Sequence, residues 1–113
     1  MMRTYLPALL SGVILLGGPF LPRASGAGMT GTQVTIDNFT FSPPMVTVTS
    51  GTRVVWTNRD DIPHTVTSAD EPRAMKSPPL DTGESFSVTF DKPGTYRYFC
   101  SLHPHMQGTV VVR

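Results

Sequence analysis

The sequence predicts an all-β protein, an antiparallel β-sandwich or small barrel of seven or eight short strands. Short runs of alternating apolar and polar residues recur from Gln33 to the end of the chain, and no segment keeps a helical period. The 10 glycines and 11 prolines are typical of a protein with many turns between short strands. A length of 113 residues suits one small domain.

The strands can be placed in order along the chain. Alternation around Val34 and Ile36 predicts the first strand, and the run 38–41 ends at Ser42-Pro43-Pro44, which indicates an edge or a bend. Further strands are predicted at 45–49, 52–57, 62–67, 84–90, 94–99 and 108–112, with Trp56 as a core residue. The irregular stretch 68–83 has room for no more than a short helical turn, because prolines interrupt it.

The first residues have the pattern of a secretory signal. Arg3 precedes an apolar run, Leu6 to Gly18, that is too short to span a bilayer comfortably, and small residues follow at 24–27. We therefore predict a cleaved signal peptide over 1–27, a single domain over 28–113 and an exported protein, periplasmic if the source is bacterial, with no firm membrane anchor. The alternatives are an uncleaved anchor or a buried core segment.

Charge and cysteine content narrow the class of protein further. Charged residues make up 15% of the chain and the net charge is +1, so no strong field for nucleic acid is expected. The single cysteine, Cys100, cannot form a disulfide within the chain, and a free thiol is a liability in an oxidising compartment. A metal bound to the sulfur would remove that liability and would also cross-link a small fold.

Soft donor atoms are concentrated in the stretch from Cys100 to Met106, which is predicted to be a loop between the last two strands. A thiolate, an imidazole and a thioether stand at Cys100, His103 and Met106, and His64 is the one histidine outside the loop. One cysteine, two histidines and a weak axial methionine favour copper, whereas zinc prefers four strong ligands. Alternation along the preceding strand predicts that Cys100 shares the inward face of Tyr98.

Several segments carry a resemblance to a known family. They are Asp61-Ile62-Pro63-His64, the run 86–90, the run from Pro93 to Cys100, and His103-Pro104-His105-Met106-Gln107-Gly108. With these segments the chain resembles a cupredoxin, a blue type 1 copper protein, and within that group the amicyanins, with plastocyanin and pseudoazurin further off.

The resemblance implies a Greek-key sandwich of about eight strands and one mononuclear copper cycling between Cu⁺ and Cu²⁺. It implies His64, Cys100, His103 and the axial Met106 as metal ligands. It also implies a monomeric electron carrier, not an enzyme, that passes single electrons between transient redox protein partners. The ring edge of His103 is expected to reach the surface as the electron port.

Two positions depart from the family pattern. Thr65 stands where the family has asparagine after the first histidine ligand, and we expect the Thr65 hydroxyl to take over part of the role of that asparagine in joining the ligand segments. His105 replaces an apolar residue, and is expected to be a solvated histidine or, alternatively, to tune docking. Pro63, Pro104, His105 and Met75 form a candidate docking patch around His103, the alternative being scattered surface residues.

The sequence also allows other roles for these residues and for the protein. Cys100 can be an ordinary buried thiol or a nucleophile paired with histidine, and Met106 can be a core residue. The protein can also handle or sense copper without fast electron transfer. A multicopper enzyme is poorly supported, because it needs further histidines and only His105 remains unassigned.

Overall fold

The computed structural model describes residues 30–113, which form eight strands and no helix. The strands are β1 Thr32–Asp37, β2 Thr40–Ser42, β3 Met45–Val48, β4 Thr52–Asn58, β5 Thr67–Ser68, β6 Ser85–Phe90, β7 Gly94–Cys100 and β8 His103–Val112. The expected signal peptide, 1–27, lies outside the described residues. Within them, no helix is long and apolar enough to cross a membrane.

The strands form two four-stranded sheets, in the orders β2-β1-β4-β6 and β3-β8-β7-β5. This arrangement confirms the predicted all-β sandwich. Two of the pairings are parallel, β1 with β4 and β3 with β8, whereas the sequence predicted antiparallel strands. Side chains alternate in the same way in both kinds of strand, so alternation along the sequence carries no information about strand direction.

The apolar core lies between the two sheets and is built around aromatic side chains. Trp56 is fully buried, as predicted, and Tyr98 packs edge-on against it with ring centroids 5.3 Å apart. Phe41 also packs edge-on against Tyr98, with ring centroids 4.7 Å apart. Burial raises the pKa of Tyr98 to about 12, so its phenol remains neutral in the core at physiological pH.

The turn between β1 and β2 has an unusual backbone. Asn38 and Phe39 have φ angles of 54° and 57°. A two-residue hairpin turn with positive φ at both positions strongly favours Asn-Gly, because glycine has no Cβ to clash. A bulky residue held in this region costs on the order of 1–3 kcal/mol, so the surrounding contacts must hold Phe39 in place.

Two segments differ from their predicted structure. The predicted strand 62–67 is mostly irregular: His64 forms an isolated bridge to Leu80, and only Thr67 belongs to a strand, β5. The last strand begins at His103 instead of 108, so the predicted loop contracts to the turn at Ser101 and Leu102. A register shift after Phe99 allows this, since it pairs Cys100 directly with His103.

The contact of Gly108 with Tyr98 provides a test of the packing. A Cβ at residue 108 would lie 2.3 Å from Cζ of Tyr98, a buried ring with little room to move. We expect Gly108→Ala to lower the free energy of unfolding by about 1–3 kcal/mol, measured by urea denaturation. The exposed neighbour provides the control: Gln107→Ala is expected to have little effect, and equal stabilities of the two variants would contradict this packing.

Candidate metal centre

Three predicted ligand side chains meet at one end of the sandwich. Cys100 ends β7, His103 begins β8, and His64 lies between β4 and β5. Their ligand atoms all lie within 4.8 Å of one another. The Nδ1 atoms of His64 and His103 are each 3.7 Å from the Cys100 sulfur.

These separations match a shared metal ion better than they match hydrogen bonds. With bonds of about 2.05 Å to nitrogen and 2.3 Å to sulfur, the expected S···N distance is about 3.6 Å at a tetrahedral angle and about 3.8 Å at a trigonal one. The observed 3.7 Å lies between these values for both histidines. The donor set of the described residues therefore fits a single metal ion of this size.

Burial of the donors favours a tightly held, desolvated ion. Cys100 and His64 are 0% exposed and Met106 is 4% exposed, while His103 is half-buried. Met106 lies on β8 within the same buried cluster as Cys100. A thiolate in such surroundings is costly unless a cation accompanies it. The partial exposure of His103 agrees with the expectation that this ligand reaches the surface.

The segment that carries His64 is held by backbone and amide hydrogen bonds. His64 exchanges backbone hydrogen bonds with Leu80, with N···O distances of 3.2 and 2.7 Å. The buried amide of Asn58 donates to the carbonyl oxygens of Ile62 and Leu80 and accepts from the Asp60 N–H. These hydrogen bonds fix the backbone around His64 before any metal binds.

Asp60 is a further residue of the site, and the sequence did not predict it. Its carboxylate accepts a hydrogen bond from Nε2 of His64 at 2.8 Å. Donation from Nε2 leaves the lone pair of Nδ1 free, on the side that faces the Cys100 sulfur. The four-residue spacing from His64 is the one signal that the sequence offers, but spacing in a turn does not predict a contact.

The same carboxylate also holds the strained turn between β1 and β2. It accepts the backbone N–H groups of Asn38 and Phe39 at 2.5 and 2.9 Å. Partial burial raises the pKa of Asp60, but the hydrogen bonds from Phe39, Asn38 and His64 outweigh it and keep the pKa below its usual value of 3.8. Asp60 is therefore ionised at neutral pH.

Thr65 joins the two ligand segments, as expected from its position. Its backbone N–H points at the Cys100 sulfur at 3.3 Å. Its hydroxyl oxygen accepts the Ser101 N–H at 2.8 Å and contacts the Ser101 hydroxyl at 2.9 Å. The threonine thus ties the His64 segment to the turn that follows Cys100.

The candidate docking patch needs one correction. Met75 is fully buried in the core, so it cannot line the surface around His103. The backbone of Met75 forms hydrogen bonds with Ser68, and its side chain turns into the core. Pro63, Pro104 and His105 are exposed, as the patch requires.

Comparison with known proteins agrees with this geometry. Residues 28–113 match the family of copper binding proteins described as plastocyanin/azurin. The chain belongs to this family. Its members, the cupredoxins, are small electron carriers and not enzymes.

Individual relatives point to one branch of the family. Amicyanin-alpha of Methylorubrum extorquens is 35% identical over 93% of this chain and 91% of its own length. Amicyanin of Paracoccus denitrificans is 37% identical over 70% of this chain and 63% of its own length. The crystal structure of amicyanin from Paracoccus versutus is 28% identical and superposes with a TM-score of 0.71, covering 78% of this chain and 86% of that one.

The hydrogen bond from His64 to Asp60 can be tested with a matched pair of variants. Carboxylate partners of metal-bound histidines typically contribute 10–100-fold to metal affinity, so Asp60→Asn is expected to weaken copper binding by roughly that factor. Affinity is measured by competition with a chelator. Asp61→Asn removes the same charge from the exposed neighbouring residue and should bind copper like the parent. Equal affinities for the two variants would contradict a role for Asp60.

Proposed function

We propose that this protein is a small blue copper electron carrier, in which His64, Cys100, His103 and Met106 would hold the copper. The observation that carries the proposal is the pair of 3.7 Å distances from one buried sulfur to two imidazole nitrogens. Copper supplies the one-electron redox step when bound. No substrate pocket, general base or nucleophile is required.

Hydrogen bonds within the chain hold the proposed metal ligands in the same place before and after an electron is transferred. Asn58, Leu80 and Asp60 fix His64, while Thr65 fixes the turn after Cys100. A donor set held this rigidly changes little in geometry when the charge of the site changes by one. Rigid positioning therefore favours rapid outer-sphere transfer, and the half-buried His103 is the most exposed of the four proposed ligands.

The cellular setting is part of the proposal. The pattern of residues 1–27 and a family match that begins at residue 28 support a cleaved signal peptide and an exported domain over 28–113. Redox proteins, bound transiently, are the proposed donor and acceptor, and the protein acts as a monomer. Relatives named amicyanin and plastocyanin support partners of this class.

Copper reconstitution tests the ligand set directly. After addition of one equivalent of Cu²⁺, the parent protein should show an intense visible band from the thiolate-to-copper transition and the electron-spin-resonance spectrum of a type 1 site. Cys100→Ala is expected to lose this band completely, because no other thiol exists in the chain. His105→Ala removes an exposed histidine beside the site and should retain the band. A band surviving in Cys100→Ala would disprove the assignment.

A second candidate function, copper handling or sensing, uses the same ligands. The two functions differ in the speed of electron exchange, because handling does not need a site of fixed geometry in both oxidation states. We expect rapid electron self-exchange in mixtures of oxidised and reduced protein, measured by nuclear magnetic resonance line broadening. Slow self-exchange in a protein that binds copper would favour handling over electron transfer.

A further inference from the structure

Phe39 is an exposed aromatic residue that lies against both histidine ligands. Its ring centroid is 5.4 Å from that of His64 and 5.1 Å from that of His103, with interplanar angles of 85° and 88°. The two imidazoles are themselves 5.0 Å apart, so one ring spans the pair. The residue as a whole is nevertheless 49% exposed, so Phe39 contacts the imidazoles and solvent at the same time.

The backbone of Phe39 indicates that this placement has a function. The turn would be most stable with glycine at residue 39, because φ is +57° there. A strained conformation persists only when other contacts impose it, and such strain concentrates at functional sites. Here the Asp60 carboxylate imposes it by accepting the N–H groups of Asn38 and Phe39. Asp60 also holds His64, so ring and ligand share one anchor.

We propose that Phe39 is a cap that keeps water and small anions away from the copper and its histidine ligands. The inference rests on the proposed function, which it deepens by assigning a residue that keeps the reaction outer-sphere. A thiolate and two neutral imidazoles leave the oxidised site with a net charge of +1, which attracts anions. A phenyl ring over the imidazoles offers such anions no hydrogen bond and no space.

A role as a cap explains why residue 39 is phenylalanine although glycine would suit the turn better. Glycine at residue 39 would relieve the backbone and uncover the imidazoles, while phenylalanine does the reverse. Stability and protection of the site therefore make opposite demands on this residue. A variant that improves the turn should damage the protection, and this combination is not expected of a side chain that only supports the fold.

The first test uses the copper-free protein and does not depend on metal binding. Diethyl pyrocarbonate modifies accessible histidines, and peptide mass spectrometry gives a rate for each one. In Phe39→Gly we expect His103 to react severalfold faster than in the parent, with no change at the exposed His105, which is the internal reference. Phe39→Leu, whose side chain cannot span both imidazoles, should fall between. Unchanged reactivity of His103 in both variants would overturn the cap.

Thermal unfolding of the same variants separates uncovering from loosening. Phe39→Gly is expected to melt at the parent temperature or above it, because glycine suits the turn. Met45→Ala truncates another exposed apolar side chain, 59% exposed, and should change neither the melting temperature nor histidine reactivity. Faster reaction of His103 together with a lower melting temperature would overturn the proposal, since it would mean that the turn had come loose.

The second test uses the copper-loaded protein and azide as the small anion. Azide should leave the visible and electron-spin-resonance spectra of the parent unchanged. It should bind Phe39→Gly at least roughly tenfold more tightly, with a new spectral feature. If the parent and Phe39→Gly gave identical azide titrations and differed only in electron-transfer rate, the cap would be overturned and Phe39 would be assigned to contact with a partner. Failure of the parent to form a blue site would instead reject the proposed function, while the copper-free test still stands.

Discussion

Burial of the Cys100 sulfur is the constraint on which the rest of this structure depends. The sulfur has no exposure to solvent, and two imidazole nitrogens and one backbone N–H surround it. A thiolate in such a place needs a compensating cation. The two imidazole nitrogens, each 3.7 Å from the sulfur, are placed to bind the same cation. Cys100 lies at the end of β7, and His103 and Met106 lie on β8. Thr65 connects the turn between these two strands to the segment of His64.

Around that sulfur, control of the site is divided among a few polar side chains. Asn58 fixes the backbone near His64, and Asp60 fixes both the imidazole and the strained turn that carries Phe39. One carboxylate thus connects the inside of the site to its surface. Any change in the position of Asp60 would move a ligand and its aromatic neighbour together. The ligand, the carboxylate that holds it and the aromatic ring beside it therefore form one connected unit, and the four proposed ligands are not independent of their surroundings.

Much of this arrangement could be predicted from the sequence, because it follows from local patterns. Alternation along β7 placed Tyr98 and Cys100 on the inward face, and the spacing of soft donors located the centre. The hydrogen bonds from Asn38 and Phe39 to Asp60 could not be predicted, since they join residues 22 and 21 positions apart through a turn whose backbone no propensity would assign to phenylalanine. The ring contacts of Phe39 with His64 and His103 join residues still further apart in the chain. Likewise, the inward turn of Met75 accompanies hydrogen bonds to Ser68, seven residues earlier, which composition does not reveal.

The pairing of β3 with β8 has a consequence for how the protein forms. These strands are parallel neighbours although more than half of the described chain separates them, and β8 also begins with His103 and contains Met106. Completing the second sheet and assembling the donor set are therefore the same event. Such non-local closure is slow relative to local hairpin formation. Both must wait until β8, the last strand of the described domain, has emerged from the ribosome or the translocation channel, so metal capture follows the emergence of the other seven strands.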